Sequence, residues 1–174
     1  FRYDLRLHDN LALLAASDFD EVIPVFIYEK TNSATTASDW WLHYSLEALA
    51  ESIKSRGGSL IIRQGNPQLI IEELMNTFQI DVLLEQKLVE KYSTKTTYVK
   101  CFDDRLLFYH HKIVTKNQTP YKVFSSYWKI AKLQYITFPQ NKNSSFSKDT
   151  FDSLALDDLK LIDNHHWMKK FGAY

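Results

Sequence analysis

Five polar residues within the first ten positions have the types and spacing to build a site: Arg2, Asp4, Arg6, Asp9 and Asn10. Phe1 reads as the end of a strand and Arg2–Asn10 as a charged loop. An apolar helix follows over Leu11–Ala16. Asp9 and Asn10 are preferred just before a helix, because their side-chain oxygens accept from the free N–H groups of the first turn. Strand, charged loop and helix make the first turn of a βαβ unit. In open α/β sheets, crevices form outside the strand carboxyl ends where strand order reverses. The loop is therefore a candidate functional edge. The plainer alternative is that Asp4 and Arg6 pair with each other and only pin the loop.

A second group lies in Lys112–Lys132, where five lysines occur with no acidic residue and Tyr121, Phe124, Tyr127 and Trp128 are interleaved. Basic and aromatic groups together can contact a nucleic-acid backbone. The favoured expectation is an amphipathic helix whose aromatics dock on the sheet while its lysines stay wet, since the whole chain has no basic excess. His110-His111 and His165-His166 are adjacent pairs. Neighbours on an extended chain point to opposite sides, so no metal site is expected from them. Asp103-Asp104 and Asp157-Asp158 read as turn or helix-start residues rather than paired catalytic carboxylates. Cys101 lies in the apolar context YVKCF and reads as a buried, inert thiol. No G-x-G-x-x-G, G-x-S-x-G or C-x-x-C occurs.

The elements that must position these groups alternate. Glu21–Tyr28 is an apolar, β-branched run, as in a strand buried on both faces, with one ladder donor missing at Pro24. A helix is expected over Trp40–Ser55, with Leu42, Leu46, Leu49 and Ile53 on one stripe. Arg56-Gly57-Gly58 ends it. Ser59–Gln64 is the next strand. Gly65-Asn66-Pro67 supplies a turn, a cap and a first-turn proline. Pro67–Phe78 is a helix with Ile70, Ile71, Leu74, Met75 and Phe78 inward. Asp81–Leu84 and Tyr98–Phe102 are strands, joined by a short crossover rich in Ser and Thr. The alternation implies a parallel, doubly wound sheet. Gln140–Thr150 is polar and reads as a linker. Phe151–Tyr174 reads as a connector without a core of its own, lying against something larger.

At 174 residues and 45% hydrophobic content, the chain can bury one real core. Its net charge is zero, so nothing global marks a nucleic-acid binder. A single cysteine permits no internal disulfide and fits a reducing compartment such as the cytoplasm. No apolar run approaches the ~20 residues that span a bilayer, so no membrane partner is expected. With only Phe1 left of a first strand, where a strand normally has ~5–6 residues, the chain is expected to lack its start and also its end.

The stretch FRYDLRLHDNLAL resembles the opening motif of DNA photolyases and cryptochromes, F-R-x-D-L-R-x-x-D-N-x-A-L. Further on, TKNQTPYKVFSSYWK is similar to T-x-x-x-x-P-Y-K-V-F-T-P-F-W of class I cyclobutane pyrimidine dimer photolyases. LALDDLKLIDNHHWMKKF resembles the linker that leads into the family's flavin domain. The resemblance covers essentially the whole chain but about the first third of a complete photolyase.

It implies a Rossmann-like three-layer α/β/α domain over 1–132, with five parallel strands in order 3-2-1-4-5. Residues 133–174 would be the linker to an absent helical domain. That domain would hold FAD and the damaged DNA, and would be this domain's partner in cis within a monomer. Light-dependent repair of pyrimidine dimers is the implied activity of the full-length protein. No residue here matches the catalytic machinery, so the fragment alone should be inactive, and Trp40, Trp41, Trp128 and Trp167 are not the family's electron chain. Asp4, Arg6, Asp9 and Asn10 would organise the edge facing the helical domain. Tyr121, Lys122 and Phe124 would anchor the linker. The family's antenna, a folate or a deazaflavin, would sit near Asn32, Glu90, Tyr92 and Ser93. Folate-type members carry a histidine where Asn32 stands and an Asn-Glu pair opposite Tyr92 and Ser93, so these positions argue against a folate. The rival assignments are a cryptochrome-like photoreceptor part and a nucleotide-binding Rossmann-like module.

Overall fold

The computed structural model describes residues 1–30, 36–86, 98–102, 112–134, 142–149 and 151–162. Helix α1 (Leu11–Ala16) follows the opening loop. Strand β1 (Val25–Tyr28) leads to helix α2 (Ala37–Ser55), and strand β2 (Ile61–Gln64) to helix α3 (Pro67–Phe78). Strands β3 (Val82–Gln86) and β4 (Tyr98–Phe102) come next, then helix α4 (Phe124–Ala131) and a 3₁₀ helix, Leu156–Leu159. β1 pairs with β2 in parallel, and β3 pairs with β4 in parallel.

The parallel α/β class is as the alternation requires, but among the described residues the sheet is two parallel pairs. Phe1 has no ladder of its own; its amino group donates one hydrogen bond to the Val25 carbonyl at 2.9 Å. β1 is shorter than the apolar run because Pro24 has no N–H to donate. The Pro24 carbonyl still accepts from Ile61 N at 2.9 Å. α2 starts at Ala37, three residues before the expected Trp40. Thr36 and Asp39 form a capping box there, which lets Ala37–Asp39 enter the helix. α3 has the expected bounds: Asn66 caps it by accepting from Gln68 N and Leu69 N, Pro67 starts it, and Gln79 ends it in the left-handed conformation.

One core joins α1, α2, β1 and β2. It holds Leu13, Ala16, Phe26, Leu46, Leu49, Ile53 and Ile62, with Leu84 of β3 packed against it. Leu46 and Ile53 are fully buried, and burying such a side chain contributes about 1.5–3 kcal/mol. Cys101 is exposed rather than buried. Its strand, β4, pairs on one side with β3 among the described residues, so apolar neighbours in sequence do not guarantee cover.

The segment read as a linker and connector straps the core. Val22 N donates to Ser145 O at 2.9 Å, and Ser147 N to Val22 O at 2.9 Å. Ser144 Oγ donates to the Leu13 carbonyl at 3.0 Å. Leu154 N reaches Ile62 O at 3.0 Å, and Ile62 N donates to Ser153 Oγ at 2.9 Å. Arg63 and Asp152 form an ion pair at 3.1 Å. Phe146, Leu159 and Leu161 are part of the same core. Gly58 makes room for the strap, since a Cβ there would collide with Cβ of Phe146. Phe146→Ala should therefore cost about 3–5 kcal/mol in urea-induced unfolding, as a core aromatic does. A detached linker would lose under ~0.5 kcal/mol.

Candidate functional site

The opening loop is folded by its own side chains. Asp4 is buried, and its carboxylate accepts from Arg2 N at 3.0 Å and from Asn10 Nδ2 at 3.0 Å. Asn10 is buried beside it. Its Nδ2 also donates to the Arg6 carbonyl at 3.2 Å, and its Oδ1 accepts from Leu13 N at 2.9 Å, capping α1. The predicted Asp4–Arg6 pair does not form. The Arg6 guanidinium donates twice to the Asp9 carbonyl, at 3.0 and 2.6 Å, while Arg6 N donates to the Asp4 carbonyl at 2.6 Å. That backbone turn carries the Arg6 side chain away from the Asp4 carboxylate. Asp9 takes a φ of 49°, a left-handed conformation that Asp tolerates better than most residues. Asp4, Arg6, Asp9 and Asn10 are thus brought into one network.

This loop meets the exit of β1. Arg2 lies 3.9 Å from Glu29, just past the strand. Tyr28, the last residue of β1, donates its hydroxyl to Asp39 Oδ1 at 3.3 Å. Asp39 is the third residue of α2, and its other oxygen accepts from Thr36 N at 2.8 Å and Thr36 Oγ1 at 2.7 Å. Burial and then the Asp39 carboxylate push the Tyr28 phenol above its ordinary value, holding it protonated as a donor. Trp40 follows, packed on Tyr44 at 4.7 Å and edge-on to Trp41 at 5.6 Å. His43 is buried, edge-on to Tyr44 at 5.2 Å. The carboxyl end of β1 therefore carries a polar pair and an aromatic platform.

Sequence reasoning did not single out this Tyr28–Asp39 pair or the ring cluster. Thr36-x-x-Asp39 and the four-residue spacing of Trp40 and Tyr44 were the signals available. Asn32, Glu90, Tyr92 and Ser93 lie outside the described residues, as do Asp103-Asp104 and both histidine pairs. Asp158 caps the 3₁₀ helix by accepting from Ala155 N at 2.9 Å, so Asp157-Asp158 are helix-start residues. Tyr121 is half-buried, Lys122 is exposed, and Phe124 stands out in solvent. No metal-holding group of His, Cys, Asp or Glu occurs among the described residues, and no described helix is long and apolar enough to cross a membrane.

One or two amides of each helix start at this edge are capped by the chain's own side chains. Leu13 N is taken by Asn10, Asp39 N by Thr36 Oγ1 at 3.3 Å, and Gln68 N and Leu69 N by Asn66 at 2.9 and 3.3 Å. A phosphate binds a helix N-terminus through such amides. The caps take those amides, and no G-x-G-x-x-G turn occurs in the sequence, so the described residues do not form a cradle for the flavin's diphosphate. What the edge offers is a cluster of aromatic rings set edge-on and tilted to one another, beside a protonated phenol.

A parallel α/β fold with a side-chain-locked loop after its first turn defines the class. Residues 1–144 match the DNA photolyase family, and the chain belongs to that family. A deoxyribodipyrimidine photo-lyase of Agrobacterium fabrum is 35% identical over 143 residues, covering 74% of this chain and 30% of the relative. Cryptochrome-2 of Arabidopsis thaliana is 30% identical over 150 residues, covering 74% of this chain and 24% of the relative. The crystal structure of a class III photolyase from Agrobacterium tumefaciens superposes on 99% of this chain and 39% of its own, with a TM-score of 0.87 and 31% identity. The chain thus spans about a third of the relatives it matches.

Two outcomes follow from the geometry. Asp4→Ala should destabilise the fold by about 1–3 kcal/mol in urea unfolding, because Arg2 N and Asn10 Nδ2 lose their acceptor. The Tyr28 phenol is raised in the folded state, so its contribution is complete below the unfolded value near 10 and disappears as pH climbs through the folded value. Stability of the wild-type chain should accordingly fall more steeply above about pH 10 than that of Tyr28→Phe, read by thermal melting across alkaline pH.

Proposed function

We propose that this chain is the antenna-side α/β part of a deoxyribodipyrimidine photolyase. The observation that carries the reading is the superposition on a photolyase over 99% of the chain at 31% identity. Light-driven splitting of pyrimidine dimers in DNA belongs to the whole protein, with FAD held by a helical domain in cis. The bound flavin would supply the electron that opens the dimer. This chain's residues scaffold that reaction rather than perform it, since in this reading the flavin that drives it is held by the helical domain.

In this reading the two strand pairs flank one central strand that ends at Phe1, giving the order β2-β1-(Phe1)-β3-β4. The bond from Phe1 to Val25 and the packing of Leu84 against the β1–β2 core support that order. The branch has support on two sides. The T-P-Y-K-V-F stretch argues for class I, and the likeness to the Agrobacterium structure argues for class III. An antenna chromophore, planar and aromatic, would find single rings to contact at Trp40, Trp41 and Tyr44, with Asn32 a few positions upstream in the sequence. A cryptochrome-like photoreceptor is the second reading, favoured by the 30% identity to Cryptochrome-2. The capped helix starts argue against the nucleotide-binding module.

The test is a dimer-repair assay under near-ultraviolet and blue light, with this chain and the full-length protein side by side. Repair by the full-length protein and none by this chain is expected. Repair by this chain alone would refute the assignment of the chemistry elsewhere. A full-length protein that binds flavin but repairs no dimers would instead make it a photoreceptor.

A further inference from the structure

α4 buries its apolar stripe at one end only. Phe124, Tyr127, Trp128 and Ala131 follow the three- and four-residue spacing that places side chains on one helix face. Ala131, in the last turn, is fully buried. Tyr127 is half-buried. One turn back Trp128 is 43% exposed, and at the first residue of the helix Phe124 is 73% exposed. The two exposed rings lie 6.2 Å apart with planes 10° apart. The strap pairs with Leu13, Val22 and Ile62, and Phe124 stays open to solvent. A single exposed apolar residue needs no explanation, but an apolar face that starts under cover and runs out into water does. It is the near half of a contact whose far half lies outside the described residues.

The rim of the stripe narrows the choice of cover. Lys122, Lys129 and Lys132 are exposed, and no carboxylate occurs between positions 112 and 132. A second copy would set lysines against lysines, and like charges facing each other oppose association. A membrane-surface helix needs a long apolar face, and α4 has eight residues. Two rings and three lysines make a small patch for a free partner. A tethered partner is held at high effective concentration and needs less. Contacts between domains of one chain are also more polar than obligate interfaces, which suits a lysine rim. We propose that the Phe124–Trp128 end of α4 docks on the remainder of the same polypeptide, against an apolar patch rimmed by carboxylates. The proposal rests on the photolyase reading, in which this chain is one part of a longer protein. The matches cover only 30% and 24% of the photo-lyase and cryptochrome relatives, so in that reading most of the polypeptide is left to supply the cover.

The experiment is hydroxyl-radical footprinting read by mass spectrometry, on the full-length protein and on this chain. Phe124 and Trp128 should be oxidised several-fold more slowly in the full-length protein than in this chain. Leu69, exposed on α3, serves as the reference within each sample. In the full-length protein Lys129→Glu should speed oxidation of Trp128, because it sets a carboxylate against the proposed acidic rim. Phe124→Glu should do the same and hasten proteolytic cleavage after residue 174, while leaving the melting of this chain unchanged. Equal oxidation of both rings in the two proteins overturns the proposal. So does protection of Trp128 in this chain that disappears on dilution, which would make the cover a second copy. So does protection in the full-length protein that Lys129→Glu and Phe124→Glu both leave intact. The dimer-repair assay on the same full-length sample separates the two claims. Repair with both rings unprotected sinks the docking and spares the photolyase reading; protected rings without flavin or repair sink that reading and support the docking.

Discussion

The side-chain amide of Asn10 is the joint on which the opening of this fold depends. One face accepts from Leu13 N and starts α1; the other donates to the Asp4 carboxylate and the Arg6 carbonyl. An amide has both donors and an acceptor in one plane, and the aspartate in the neighbouring position has only acceptors. Asp9 cannot replace it for that reason. The loop is buried at Asp4 and Asn10, where an unmade hydrogen bond costs the full desolvation of the group. The network thus sets where α1 begins. α1 in turn rests on β3 and β4 and gives Leu13 and Ala16 to the core.

From that joint the strap follows. The carbonyl of Leu13, which also accepts from Ser17 N at the end of α1, accepts from Ser144 Oγ, and Val22 pairs with the residues on either side of Phe146. Phe146 then covers Gly58, at the end of α2. Ser153 and Leu154 take the backbone groups of Ile62, on a strand whose other side is paired to β1. An unpaired strand edge is a template for aggregation unless something covers it. Ser153 and Leu154 suit this task, because a serine hydroxyl and a backbone amide can meet a strand edge without filling the core.

What was legible in the sequence was what local chemistry decides. α3 was readable at both ends because Asn66 and Pro67 fix its start and its apolar period runs out at Phe78. β4 was readable because Tyr98–Phe102 is an isolated β-prone run. α2 began before its stripe because its cap, Thr36 with Asp39, lies upstream of the first large apolar residue. The strap was not legible, because its pairing joins Val22 to Phe146 across more than half the chain. Nor was the fate of Arg6, whose partner was chosen by a backbone turn and not by the nearest opposite charge. The aromatics of α4 were misjudged for a similar reason. Amphipathic spacing says that one face is apolar, and says nothing of whether the fold brings another element to cover it.

These particulars bear on what kind of ligand such an edge admits. Every helix start described along the strand carboxyl ends is closed by a side chain of its own: Asn10, Thr36 and Asn66. A ligand that needed those amides would have to displace a cap worth about 1 kcal/mol and compete with a covalently tethered oxygen. Exposed aromatic groups are also present, at Trp41 and Tyr44 on α2 and at Phe124 and Trp128 on α4. Stacking asks only for a flat partner and tolerates variation in its edge groups. Exposed rings of this kind suit contact with planar molecules. A domain built this way is poorly suited to activating a phosphate or a nucleophile itself.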